Sequence, residues 1–172
     1  MGVAMMRLLR YGIAMQHDSR RRILMIGGLT VAAGALGWVG MGGQTGLYAA
    51  LTPDVAGGVL PADAAHRQVA AGEMILVDIR RPEEWRATGS PEGAVQLDMR
   101  RADFTDRLRE MQATAPDRPI ALICARGVRS ARLANQLTAA GLNGILDVSE
   151  GMLGSAAGPG WIARGLPVYG RG

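Results

Sequence analysis

From residue 61 onward, short apolar runs alternate with stretches whose apolar residues recur every three or four positions. The runs at 75–77, 93–97, 119–123 and 144–148 are short and bounded by Gly, Pro or charge, which predicts strands. Between them lie helical patterns. Pro61-Ala62-Asp63 opens a helix that Gly72 closes, and Pro82 begins a second, short one with Glu83 and Glu84 at its positive end. Phe104, Leu108 and Met111 share one face of a third, and the stretch 129–140 forms a fourth, ended by Gly141. Strands alternating with helices predict an α/β sandwich, a mainly parallel central sheet flanked by helices. Ligands of such sheets sit at the carboxyl ends of strands, where helices begin. Cys124 falls at that place, directly after the 119–123 run and before the 129–140 helix.

Upstream the pattern changes. Residues 23–41 carry no charge, and as a helix they would span about 28 Å, close to a bilayer core. They follow Ser19-Arg20-Arg21-Arg22-Ile23-Leu24, which resembles the twin-arginine export signal. An ordinary signal anchor is the competing reading, and both put the remainder of the chain outside the cytoplasmic membrane. The expected organisation is a leader or anchor at 1–45, a small-residue linker at 46–60 and a folded domain at 61–170. Membrane contact through residues 23–41 is expected if the leader stays uncleaved.

Charge follows the same division. The 172-residue chain has a formal net charge of +4, with 19 basic and 15 acidic residues. Five of those arginines and one acid lie in the first 22 residues, so the rest is balanced, 14 against 14. The basicity belongs to the leader, which argues against a nucleic-acid partner. A single cysteine excludes an intrachain disulfide. His17 and His66 are too few and too scattered for a metal set, so no metal and no cofactor are expected.

The chemistry is concentrated in Cys124-Ala125-Arg126-Gly127-Val128-Arg129-Ser130. A strand-to-helix loop can present several backbone N–H groups to an anion, and the helix adds its positive N-terminus. Gly127 permits close approach. A cysteine in that field, with Arg126 and Arg129 nearby, is expected to act as a nucleophilic thiolate facing an anionic substrate. Arg126 is read as anion-facing. Arg129 is left open between the site and a structural role, capping the helix or pairing with an acid such as Asp78.

This loop, Cys-x-x-Gly-x-Arg-Ser, is similar to the active-site loop of rhodanese-domain sulfurtransferases, and other segments fall in the family's order. Leu76-Val77-Asp78-Ile79-Arg80 with Pro82-Glu83-Glu84-Trp85 resembles its VDVR-x-PxE-aromatic motif. Gly89 with Gly93-Ala94-Val95 resembles its GHIxGA segment. Glu150-Gly151-Met152 and Gly165-Leu166-Pro167-Val168 resemble its closing region. The likeness spans about residues 60–169 and implies the rhodanese-like three-layer sandwich. It further implies sulfur transfer from a small anionic donor such as thiosulfate, through a persulfide on Cys124 cradled by residues 125 to 130. The acceptor would be cyanide or a thiol, of a small molecule or a thioredoxin-like protein. Asp78 and Arg80 are then scaffold. Two departures stand out: Ser90 replaces the family's usual histidine, and Ser155-Ala156-Ala157-Gly158-Pro159-Gly160 adds a small-residue stretch before Trp161.

Two other functions are weighed against this one. A phosphatase of related fold needs arginine six residues after the cysteine, to grip phosphate through two parallel bonds. Here that position is Ser130, and arginine comes one residue too early. A non-turnover module for sulfur carriage, redox sensing or partner docking is the alternative that keeps Cys124 in use.

Overall fold

The computed structural model of the protein describes residues 43–170. The arginines of the leader and the uncharged 23–41 stretch lie outside those residues. Among the described residues, no helix is long and apolar enough to cross a membrane. The chain runs through α1 (Gly43–Leu51), β1 (Val59–Leu60), α2 (Ala62–Ala70), β2 (Ile75–Asp78), α3 (Pro82–Thr88), β3 (Ser90–Pro91), β4 (Val95–Gln96), α4 (Phe104–Thr114), β5 (Ile120–Ile123), α5 (Val128–Ala139), β6 (Ile145–Val148) and β7 (Val168–Tyr169).

Five strands form one sheet in the order β1-β6-β5-β2-β4, every neighbouring pair parallel. β3 and β7 make a separate antiparallel pair. Strand β5 lies in the middle and is buried along its whole length, which is why its sequence is apolar without alternation. Its side chains divide between the two faces. Ile120 and Leu122 pack with Val77, Phe104 and Leu108 of α4, and Leu133 and Leu137 of α5. Ala121 and Ile123 pack on the other face with Leu76, Ala62 and Ala65 of α2, Met152 and Trp161. The protein is thus the three-layer α/β sandwich its sequence pattern predicts, helix on sheet on helix.

The segment expected to be linker, 46–60, differs from that expectation. It carries most of α1 and all of β1, the edge strand beside β6. Local propensity did not announce this helix, because side chains about 80 residues away hold the end of the segment. Arg132 donates to the Leu51 carbonyl at 3.1 Å, and Asn135 donates to the Asp54 carbonyl at 2.7 Å. The Ala56 N–H in turn donates to the Asn135 amide oxygen at 3.0 Å. Order imposed by tertiary hydrogen bonds leaves no periodic signal in the segment itself.

Candidate active site

β5 delivers Cys124 to the carboxyl edge of the sheet, where the side chain is 1% exposed. The loop after it is shaped by two glycines. Gly127, at φ +81°, stands just before α5, and a Cβ there would collide with the Ser149 carbonyl oxygen. Gly151, at φ +64°, lies just after β6, and its Cβ would come 2.7 Å from the Ala125 carbonyl and the Arg126 nitrogen. Both positions need glycine for conformation and for space. They let the segment after β6 lie flat on the cysteine loop, and two hydrogen bonds fasten it. Met152 N–H donates to the Cys124 carbonyl and Leu153 N–H to the Ala125 carbonyl, each at 2.9 Å. Among the described residues, none of the N–H groups of residues 125 to 130 donates to a backbone carbonyl. Those donors, at the N-terminus of α5, remain available to an anion.

Three side chains of the loop set the surroundings of the sulfur. The Ser130 hydroxyl lies 3.3 Å from Cys124 Sγ and 3.1 Å from the Gly127 carbonyl, so its single proton serves one or the other. Arg129 makes two parallel bonds to Glu84, at 2.6 and 2.9 Å. Glu84 also accepts from the Arg81 N–H at 3.1 Å. Burial would raise the Glu84 pKa, but the Arg129 and Arg81 bonds outweigh it and hold it below the usual carboxylate value. Arg129 is raised in turn, by Glu84 first, against desolvation, and also by Cys124. The partner of Arg129 is therefore Glu84 and not Asp78. Arg126 donates to the Gly154 carbonyl at 3.3 Å, and its guanidinium carbon lies 5.3 Å from the centre of the Tyr48 ring. A cavity of about 260 Å3 is lined by Tyr48, Cys124, Ala125, Arg126, Val128 and Arg129. A larger cavity of about 550 Å3 opens at the other end of β2, between Ile75, Val95, Arg107, Met111 and Arg118, and contains none of the expected site residues.

Asp78 and Arg80 sit apart from the cavity, in a closed network. Arg80 grips both Asp78 oxygens, with its Nε at 2.9 and 3.2 Å and its Nη2 at 2.7 Å. It also donates to the Gly89 carbonyl at 2.6 Å and to Thr88 at 2.8 Å. Ser90, at the place of the family's usual histidine, donates to Asp78 at 2.7 Å. The small-residue stretch is ordered by Glu150, whose buried carboxylate accepts from Gly160 N–H at 2.9 Å and from Arg164 at 2.7 Å through both oxygens. Just before that stretch, the Gly154 carbonyl accepts from Arg126 of the cysteine loop.

The roles of three residues near the site escaped the sequence reading. Tyr48 stands in the segment read as linker. Glu84 reads in the sequence as a first-turn acid and as part of the Pro-x-Glu motif, but its partnership with Arg129 is visible only in the structure. Asp147, inside the β6 run, is fully buried, and among the described residues neither of its oxygens has a hydrogen-bond partner. Desolvation raises its pKa to about 6, and the nearby Ser130 hydroxyl lowers it only in part. Among the described residues, no group of three or more His, Cys, Asp or Glu could hold a metal ion.

The chain is similar to several known proteins. Among solved structures, Rv0390 from M. tuberculosis is 28% identical and superposes with a TM-score of 0.51, covering 68% of this chain and 99% of its own. The polysulfide-sulfur transferase homodimer of Wolinella succinogenes is 23% identical, with a TM-score of 0.49, covering 76% of this chain and 88% of its own. A rhodanese-like domain protein from Staphylococcus aureus is 24% identical, with a TM-score of 0.44 over 64% of this chain and 97% of its own. No curated protein matches the chain. The model of the rhodanese-like domain matches residues 61–157, more than half of the chain, and takes in β2, the cysteine loop and the segment fastened over it. The protein belongs to the rhodanese-like domain family.

Proposed function

We propose that the protein is a sulfurtransferase in which Cys124 carries sulfur from a small anionic donor such as thiosulfate to a thiol, or to cyanide in the assay tube. The observation that carries this reading is the placement of Cys124. It faces a small cavity at the start of α5, with two arginines around it and loop amides that, among the described residues, donate to no backbone carbonyl. In the first step the Cys124 thiolate attacks the outer sulfur of the donor. A new sulfur–sulfur bond forms, the donor's own sulfur–sulfur bond breaks, and sulfite leaves with the electron pair. The persulfide left on Cys124 keeps a negative charge, which the amides of residues 125 to 130 and the positive end of α5 stabilise. In the second step an acceptor thiolate attacks the outer sulfur and returns Cys124 as thiolate. This is covalent catalysis by an activated nucleophile.

Asp78 and Arg80 support the site from below without touching the donor. The Ser130 hydroxyl, 3.3 Å from Cys124 Sγ, supplies its proton to the thiolate when it releases the Gly127 carbonyl. The reading is tested by steady-state kinetics of the full chain with thiosulfate and cyanide. Parallel double-reciprocal lines and sulfite release are expected, with both lost in Cys124→Ser. Sulfite release persisting in the serine variant would contradict the assignment.

A further inference from the structure

Resting on that reading, we propose that Tyr48 is a specificity-determining residue: by holding the Arg126 guanidinium at the cavity wall, it selects a small anionic sulfur donor. Two cations line the cavity, and they are not equivalent. Arg129 is neutralised by the Glu84 carboxylate at 2.6 Å. Arg126, among the described residues, has no carboxylate partner. Its polar contact is a neutral carbonyl, that of Gly154, and its guanidinium carbon lies over the Tyr48 ring, 5.3 Å from the ring centre. The uncompensated positive charge beside Cys124 is therefore that of Arg126.

An arginine side chain alone is long and free to rotate. Fixing it in advance removes an ordering cost that a donor would otherwise meet on binding. An aromatic face can do this without cancelling the charge, because the ring attracts a cation through its quadrupole and leaves the guanidinium edge open for hydrogen bonds. A carboxylate in the same place would cancel it. The cavity, at about 260 Å3, lies below the usual range of pockets for larger organic ligands, so it suits an anion of a few atoms. Tyr48 stands upstream of residue 61, where the family match begins, on the helix that Arg132 of α5 anchors. The selectivity device is thus supplied from outside the matched domain.

The test compares two alkylating agents on Cys124 of the full chain, the anion iodoacetate and the neutral iodoacetamide. The ratio of their rates reports the anion field at the sulfur independently of any sulfur transfer. In Tyr48→Ala and Tyr48→Leu the iodoacetate-to-iodoacetamide ratio is expected to fall roughly two- to fivefold, the value of a partly exposed cation–π contact. Tyr48→Phe should keep it. Arg126→Ala should lower it at least as far, with Tyr48→Ala adding nothing in that background. The KM for thiosulfate should rise by the same factor in Tyr48→Ala while kcat stays put. An unchanged ratio, an equal fall in Tyr48→Phe, or additive losses in the double variant would overturn the proposal. Both reagents speeding up together would also overturn it, since that reports only a loosened α1. If the ratio responds as expected but wild type takes no sulfur from thiosulfate, the sulfur-transfer reading fails while the role of Tyr48 stands.

Discussion

The strand that carries Cys124 is flanked by two strands, and each brings a fully buried aspartate to the neighbourhood of the site. Asp78 of β2 lies in register with Ile123, and Asp147 of β6 with Leu122. Their surroundings are opposite. Asp78 accepts from Arg80 through both oxygens and from Ser90, and Arg80 is closed in turn by Thr88 and the Gly89 carbonyl. Among the described residues Asp147 has no hydrogen-bond partner at either oxygen, and the nearby Ser130 hydroxyl moderates its burial only in part. A buried charge is tolerable when hydrogen bonds replace its hydration, and it is costly when they do not. One side of the cysteine strand is therefore a locked polar frame, and the other is a strained position next to the hydroxyl that touches the sulfur.

The largest effect should come from breaking the frame. Arg80→Ala leaves the Asp78 charge buried without its main partner, and is expected to cost about 3–5 kcal/mol of stability. A urea denaturation curve measures it, and a loss under 1 kcal/mol would show the network to be incidental. The opposite aspartate should respond with the opposite sign. The folded-state pKa of Asp147, about 6, lies above its ordinary value of 3.8. Below about pH 4 both folded and unfolded chains hold the proton, and the group contributes nothing to the balance. As pH rises from 4 to 6 the unfolded chain ionises first, so stability falls, reaching a penalty of roughly 3 kcal/mol that persists at higher pH. Asp147→Asn removes that slope. It is expected to match wild type near pH 4 and to exceed it by up to about 3 kcal/mol at pH 8, with urea midpoints at the two pH values as the measure. Equal midpoints at pH 8 would mean that the carboxyl is solvated. The smallest effect concerns Glu84, a third carboxylate that is only partly buried. Glu84→Gln is expected to change stability by less than about 1 kcal/mol, because solvent screens that pair. A larger loss would place the Glu84–Arg129 pair in the frame with Asp78.

The same contrast explains what could be read from the sequence. β2, β5 and β6 are short apolar runs because both their faces are covered, and the Cys124 loop lies between an apolar run and an amphipathic helix. Those are local signals. Asp78 and Arg80 were marked as scaffold by the family resemblance alone; that they bind each other, with Asp78 not taken by Arg129, is a finding of the structure. Arg129 with Glu84 spans 45 residues, and Arg132 with Leu51 spans 81, so no local window contains either pair. Tyr48 was hidden behind a glycine-rich stretch whose helix is held from outside. Asp147 interrupts the apolar run of β6 by one residue, and nothing in the run distinguishes a buried acid from one at a strand edge.

The central claim is that Cys124 takes up and hands on a single sulfur. Its most direct test is an intact-mass spectrum of the full chain after incubation with thiosulfate, beside Cys124→Ser. A gain of one sulfur atom on wild type alone, removed by cyanide or a thiol, is the expected result. No gain on a folded protein with a free thiol would contradict thiosulfate sulfurtransferase activity, and would leave Cys124 to redox sensing or partner docking.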